Sequence, residues 1–353
     1  MRKAQTLIAN VSQLTRRGLF KGLLLGGATA LTSAGAAKLL SGRRAEAVAQ
    51  AAATPGQLRE YWIQVDSFPH TLIPTGVDAL SGTAYAPNQS SFSALGYRAF
   101  SPNWASPLPG NDDIGPNTGI PGPTIRAQVG DTIRIHFRNN DRHFAFPHSI
   151  HLHGVAYAPE SDGAWTWADQ APGSAVALGD TYTYEYTALR ESVGTWPYHD
   201  HSMPQSQGKA MDAGLSVQAG MMGVVAVTDE NTPAADVENI LVMHDVYADI
   251  IPGLAQDFDC FNGLAYLGNT PTFRAQVGQR VRWRVVAFGN EFHSFHLHAH
   301  RWRSADRFVD TEIVGPGTVL TFDYIEDRPG KWLYHCHVVD HMMGGMVGYY
   351  IVS

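Results

Sequence analysis

Tyr334-His335-Cys336-His337-Val338-Val339-Asp340-His341-Met342-Met343-Gly344-Gly345-Met346 is the stretch from which the rest of the chain can be read. In an extended strand successive side chains point to opposite faces, so His335 and His337 look one way and Cys336 the other. One strand can thus serve two metal sites back to back. Cys336, His341 and Met346 supply a thiolate, an imidazole and a thioether at steps of five and ten residues. A second imidazole from elsewhere completes the His₂Cys set with a weak axial Met that marks a blue-copper electron-transfer site. An isolated Cys is ordinarily a small buried hydrophobe, but the flanking His335 and His337 and the following His341 and Met346 argue against that reading.

The pattern recurs upstream in His293-Ser294-Phe295-His296-Leu297-His298, where His296 and His298 share a face and His293 lies on the other. By parity His293 belongs with Cys336, and His296 and His298 belong with His335 and His337. The first half of the chain adds His151-Leu152-His153-Gly154 and Tyr198-His199-Asp200-His201, making four His-x-His pairs. Their eight imidazoles are too many for one ion with about four ligands. They suit a cluster of three metals, two held by three His each and one by two.

The chain carries two copies of one unit. Pro123-Thr124-Ile125-Arg126-Ala127-Gln128-Val129-Gly130 returns as Pro271-Thr272-Phe273-Arg274-Ala275-Gln276-Val277-Gly278, at an offset of 148. His148 to His153 parallels His293 to His298, and Tyr198 to His201 parallels Tyr334 to His337, in the same order. Three matched blocks in order argue for duplication. In the first copy Asp200 stands where Cys336 does and Gln205 where His341 does, so that copy cannot make a blue-copper site, and His148 is left as a metal-free counterpart of His293. Tyr61 to Val65 alternates as a strand. Ser90 to Pro123, rich in Gly, Pro, Asn and Ser, reads as a long surface segment with little regular structure. Asp229 to Asp236, polar and Pro-containing, is the seam between the copies.

Composition fits an all-β protein with many turns: 353 residues, 35 Gly and 20 Pro, with 44% hydrophobic and 16% charged residues. The N-terminus reads as a twin-arginine export signal over 1–49, with Arg16-Arg17, an apolar Gly- and Ala-rich run, and Ala47-Val48-Ala49 as the cleavage site. That run is shorter than the ~20 residues of a membrane span, so no span is expected in the mature chain, which would be periplasmic or extracellular. Beyond residue 49 the chain keeps 17 basic and 31 acidic side chains, net −14, which argues against nucleic acid as a partner. Cys260, the second of two Cys, has no partner within the chain once Cys336 is given to metal, and a buried, inert thiol is expected, with an intermolecular bridge as the alternative.

The motifs HLHG (151–154), HDH (199–201), HSFHLHAH (293–300) and HCHVVDHMMGGM (335–346) resemble the four copper-binding motifs of multicopper oxidases. The layout, with a type 1 site only in the second copy, is similar to the two-domain bacterial small laccases. The resemblance covers residues 57–353 and implies an all-β chain of two cupredoxin-like Greek-key β-sandwich domains, 57–228 and 237–353. It further implies four coppers per active site, O₂ as acceptor, and a homotrimer whose clusters lie between subunits. By motif position His293, Cys336, His341 and Met346 go to type 1, His151 and His296 to type 2, and His153, His199, His201, His298, His335 and His337 to the type 3 pair. Ala299 stands where such chains tend to have Gly.

Asp162 and Asp310 are candidate proton relays, with ordinary turn or surface carboxylates as the alternative, and Tyr157 is a candidate redox participant, with a packed core Tyr as the plainer reading. The electron donor stays open among phenols, aromatic amines, Cu⁺, Fe²⁺ and Mn²⁺. Rivals are a copper nitrite reductase, which would place type 1 ligands in the first copy, and a non-enzymatic copper-resistance protein.

Overall fold

The computed structural model describes residues 56–353 except Trp167, Asp169, Met203, Pro204, Gln207, Gly208, Met211 and Asp212. The expected export signal lies outside the described residues, as does the side chain of Gln205. In the first copy one sheet runs Ser91–Phe100, Leu58–Thr71, Thr132–Asn140, Thr181–Thr187, and the other Ile125–Gln128, Met222–Thr228, Gly194–His199, His151–Leu152. The second copy repeats this as Phe258–Phe261, Val237–Val246, Arg280–Ala287, Val319–Ile325, facing Thr272–Ala275, Val347–Val352, Gly330–Cys336, His293–Leu297, Thr311–Val314. In each copy the first strand pairs in parallel with the strand that follows the repeated block, Leu58 beside Thr132 and Val237 beside Val281. A parallel neighbour requires a crossover, so each copy is a Greek-key sandwich and not a meander.

The repeated block turns out to be a corner between sheets. Ile125–Gln128 and Thr132–Asn140 lie in opposite sheets, as do Thr272–Ala275 and Arg280–Ala287. Gly130 (φ 95) and Gly278 (φ 93) make the bend in the left-handed region, which glycine occupies without a Cβ penalty.

Alternation builds the first core: Ile133, Ile135 and Phe137 are buried at every second position of their strand. Val237–Val246 and Arg280–Ala287 are buried on both faces instead. Their odd-numbered Leu241, Met243, Val281, Trp283 and Val285 fill the second copy's own core. Their even-numbered Val242, Val246 and Val286, with Phe288, join the core of the first copy. Arg284 has the same even parity, and its Nη1 donates to Thr195 Oγ1 at 2.7 Å and to the Gly194 carbonyl at 3.3 Å across the junction. Its Nε donates to Glu238 at 2.6 Å, and Glu238 also pairs with Arg126 of the first copy. The junction is thus a continuous apolar layer with a satisfied ionic edge, and the two copies pack as one body.

One expectation changes. Ser90 to Pro123 is irregular only from Ser101 onward: Ser91–Phe100 is a ten-residue strand paired along its length with Leu58–Thr71. Its Ser, Ala and Gly residues are there because neighbouring chain comes close, and a Cβ on Gly96 would lie 2.5 Å from the Gly119 carbonyl oxygen. Cys260 is buried, as expected, but within the apolar layer shared by the two copies. No helix among the described residues is long and apolar enough to cross a membrane.

Candidate metal centres

Strand pairing sets Phe295 opposite Cys336 and His296 opposite His335. Cys336 and His293 therefore face the interior while His335 and His296 face out. His341 arrives on the short helix Val339–Gly344, and the ligand atoms of His293, Cys336 and His341 lie within 4.8 Å of one another. His293 Nδ1 is 3.1 Å from His341 Nδ1, which is 3.7 Å from Cys336 Sγ. Met346 is fully buried, and its carbonyl accepts the Cys336 N–H at 3.1 Å. The outer nitrogens face carboxylates, His293 Nε2 with Asp245 Oδ1 at 3.3 Å and His341 Nε2 with Glu291 Oε2 at 3.5 Å. A carboxylate can only accept, so in a neutral ring the proton belongs on Nε2, which leaves each Nδ1 as the nitrogen available to a metal beside Cys336. Burial opposes a charge on His293, yet Asp245 and Cys336 outweigh it and push its pKa up to about 9. The point between these side chains favours a cation.

The remaining imidazoles form two matching groups. In the first, ligand atoms of His151, His153 and His199 lie within 4.8 Å of one another, and in the second so do those of His296, His298 and His335. His201 joins the first, its ring 5.2 Å from that of His151, and His337 joins the second, 5.4 Å from His296. Backbone carbonyls fix the tautomers identically. His151 Nδ1–H donates to the Asp162 carbonyl at 2.6 Å and His296 Nδ1–H to that of Asp310 at 2.7 Å. His199 and His335 donate to the carbonyls of Asp200 and Cys336, both at 2.8 Å.

Every Nε2 so freed points into its group, where His153 Nε2 and His199 Nε2 are 3.2 Å apart and His298 Nε2 and His335 Nε2 3.1 Å. These separations suit two ligands of one ion with bonds of about 2.0–2.1 Å. Burial first, and neighbouring imidazoles besides, hold His153, His199 and His335 down to about 4, neutral and ready to ligate. Among the described residues no hydrogen bond or ring contact joins the two groups. One chain presents two half-clusters.

Asp162 and Asp310 act on their histidines through main-chain oxygen; the Asp162 carboxylate also lies 3.3 Å from His151 Nδ1, and that of Asp310 accepts from Thr311 Oγ1 at 3.1 Å. Tyr157 is not a packed core side chain: it is 38% exposed, with its ring 6.1 Å from that of His151. Asp200 is committed elsewhere, accepting from His148 Nδ1 at 2.9 Å and from the N–H groups of Ser149 and Ser202. Asp141, Asp245, Tyr247 and Glu291 were missed, because a single acid or Tyr at a strand end or loop has no spacing that announces a partner far away in sequence.

Residues 103–232 and residues 242–353 each match a family model described as multicopper oxidase. The chain belongs to the multicopper oxidases. It is 30% identical over 246 residues to a probable nitrite reductase-hydroxylamine oxidoreductase fusion protein of Kuenenia stuttgartiensis, covering 66% of this chain and 28% of that one. It is 27% identical over 362 residues to the human ferroxidase HEPHL1, covering 84% of this chain and 29% of that one. The chain thus spans under a third of the length of these relatives. A solved multicopper oxidase structure superposes with a TM-score of 0.62 at 24% identity, over 84% of this chain and 89% of its own, which shows the expected cupredoxin-like fold.

Proposed function

We propose that this multicopper oxidase takes single electrons from a small donor at a type 1 site of His293, Cys336, His341 and Met346, and delivers them to O₂ at a trinuclear site. In that site His151 and His296 form the type 2 position, and His153, His199, His201, His298, His335 and His337 the type 3 pair. Four bound coppers would supply the redox chemistry, accepting one electron at a time and reducing O₂ to two waters. The observation that carries the reading is the position of Cys336. Its Sγ points into one ligand group while its main chain is bonded directly to His335 and His337 of another, so an electron has a short covalent route between them.

The chain's other contributions are orientation and protons. Carbonyls of Asp162 and Asp310 hold the first His of each pair in its ligating tautomer, and their carboxylates at the rim are the proposed proton carriers. Exposed Tyr157 beside His151 is the proposed auxiliary redox group. Because the half-clusters do not meet within a chain, completion between subunits of a homotrimer is proposed, with the first copy (57–228) of one facing the second (237–353) of the next. Export by the twin-arginine route to the periplasm or beyond is part of the same proposal.

A laccase-like donor, phenol or aromatic amine, is the first reading. Oxidation of Fe²⁺, Cu⁺ or Mn²⁺ is the second, favoured by the ferroxidase name of the human relative. A nitrite reductase is disfavoured because Asp200 fills the type 1 position of the first copy. Copper analysis with O₂ uptake on a phenol and on Fe²⁺ tests the proposal. Close to four coppers per chain, one type 1 signal and donor-driven uptake are expected; copper binding without uptake on any donor would leave a storage protein.

A further inference from the structure

We propose that Tyr247, Asp245 and Glu291 form one hydrogen-bonded unit that sets the reduction potential of a copper held by His293, Cys336 and His341. The proposal rests on reading those three side chains as the type 1 site. Each of the two imidazoles turns Nδ1 inward and Nε2 outward, and a different carboxylate stands behind each Nε2, Asp245 at 3.3 Å and Glu291 at 3.5 Å. Tyr247 Oη lies between the carboxylates, 3.3 Å from Asp245 Oδ2 and 3.1 Å from Glu291 Oε1. Its single proton can serve one of them at a time.

The fold, not chance rotamers, brings the unit together. Asp245 Oδ2 also accepts the N–H of Asn290 at 2.9 Å and of Glu291 at 3.2 Å, which pins the loop carrying Glu291. The Tyr247 N–H donates at 2.9 Å to Oε1 of Gln218, a buried residue of the first copy. The junction between the copies thus positions the residue that ties both carboxylates.

A carboxylate on the outer N–H makes an imidazole a stronger donor to its metal, and its charge favours the more positive oxidised ion. Both effects lower the potential. Asp245 is 1% exposed and weakly screened, whereas the Glu291 side chain is 51% exposed and its effect is cut by solvent. The Tyr247 hydroxyl works the other way, drawing charge from the carboxylates it meets. Tyr247, Asp245 and Glu291 are positioning residues, acting through the imidazoles.

The test is a redox titration of the copper-loaded protein with one-electron mediators, following the blue band, for wild type, Glu291→Gln, Asp245→Asn and Tyr247→Phe. Glu291→Gln is expected to shift the equilibrium a few-fold toward the reduced form. Asp245→Asn should shift it about tenfold, or about 59 mV for one electron. Tyr247→Phe should shift it the opposite way. A loss of packing alone gives no such opposition of sign, so unmoved potentials, or Glu291→Gln and Tyr247→Phe moving together, would overturn the proposal. If Asp245→Asn fails to fold, those two half-exposed positions carry the sign test. A wild-type protein without a blue band would instead sink the type 1 reading itself.

Discussion

Replacing His148 by Leu should destabilise the protein by about 3–5 kcal/mol, the cost of stripping one partner from a buried charged group. His148 sits where the second copy has His293. Its Nδ1 is 2.9 Å from Asp200 Oδ2 and its Nε2 3.1 Å from Asp141 Oδ2, and the three side chains are at most 1% exposed. Burial alone would discharge His148, but Asp200 and Asp141 outweigh it and lift its pKa from 6.5 to about 9. At ~1.4 kcal/mol per unit that lift is on the order of 3 kcal/mol, in line with the first figure. The assay is guanidinium unfolding of the copper-free protein. Because the folded-state pKa is raised, the stabilisation is fully present below pH 6.5 and is lost as pH rises through about 9. The gap between wild type and His148→Leu should therefore narrow between pH 7 and 9.5. Adding Asp200→Asn to the Leu variant should recover part of the loss, since one buried charge fewer is left unpaired. A loss under about 1 kcal/mol, or a gap independent of pH, would refute the idea that an imidazolium between two carboxylates fills this site.

Cys336→Ser should abolish the intense blue absorption while the cluster keeps its copper, and a surviving band would disprove the type 1 assignment. Gly154→Ala should cost several kcal/mol by thermal unfolding, since a Cβ there would lie 1.9 Å from Trp196 Cδ2 at φ +75. Ala299, at the matching place in the second copy, already holds φ +63, so Ala299→Gly should stay within about 1 kcal/mol of wild type; equal effects at both positions would contradict the packing argument. In copper-free protein His153, His199 and His335 are held near 4 by burial and by neighbouring imidazoles. Their depressed pKa values mean the unfolded chain takes up their protons first, so stability should fall as pH drops from 6.5 to 4, and bound copper, which keeps these imidazoles deprotonated in the folded state, should carry the fall on below pH 4. Light scattering should find a trimer whose dissociation abolishes O₂ uptake, and a fully active, copper-replete monomer would rule out clusters shared between subunits.

The two-copy architecture was legible because three blocks recur in the same order, and the grouping of the histidines because it rests on period two. Alternation in Thr132–Asn140 and the parity of His335, Cys336 and His337 are local properties of an extended backbone, and pairing only had to bring the strands side by side. Ser91–Phe100 was misread because its Ser, Ala and Gly residues are chosen by what packs against them, as Gly119 does against Gly96, and composition cannot tell a tight contact from a flexible loop. The shared core was illegible for the opposite reason. Val237–Val246 and Arg280–Ala287 are apolar on both faces, and nothing local says that Val242 and Val286 serve a different core from Leu241 and Val285. The carboxylates behind the imidazoles were hidden by distance along the chain, 48 residues from Asp245 to His293 and 50 from Glu291 to His341. What replaced the metal site in the first copy joins the two kinds of information. Substituting Asp for Cys at position 200 is readable as the loss of a thiolate, but only Asp141, brought in from the end of Thr132–Asn140, shows that His148 now lies between two carboxylates. The first copy therefore meets the demand for positive charge at that point with a proton, where the second, by the reading proposed here, meets it with a metal.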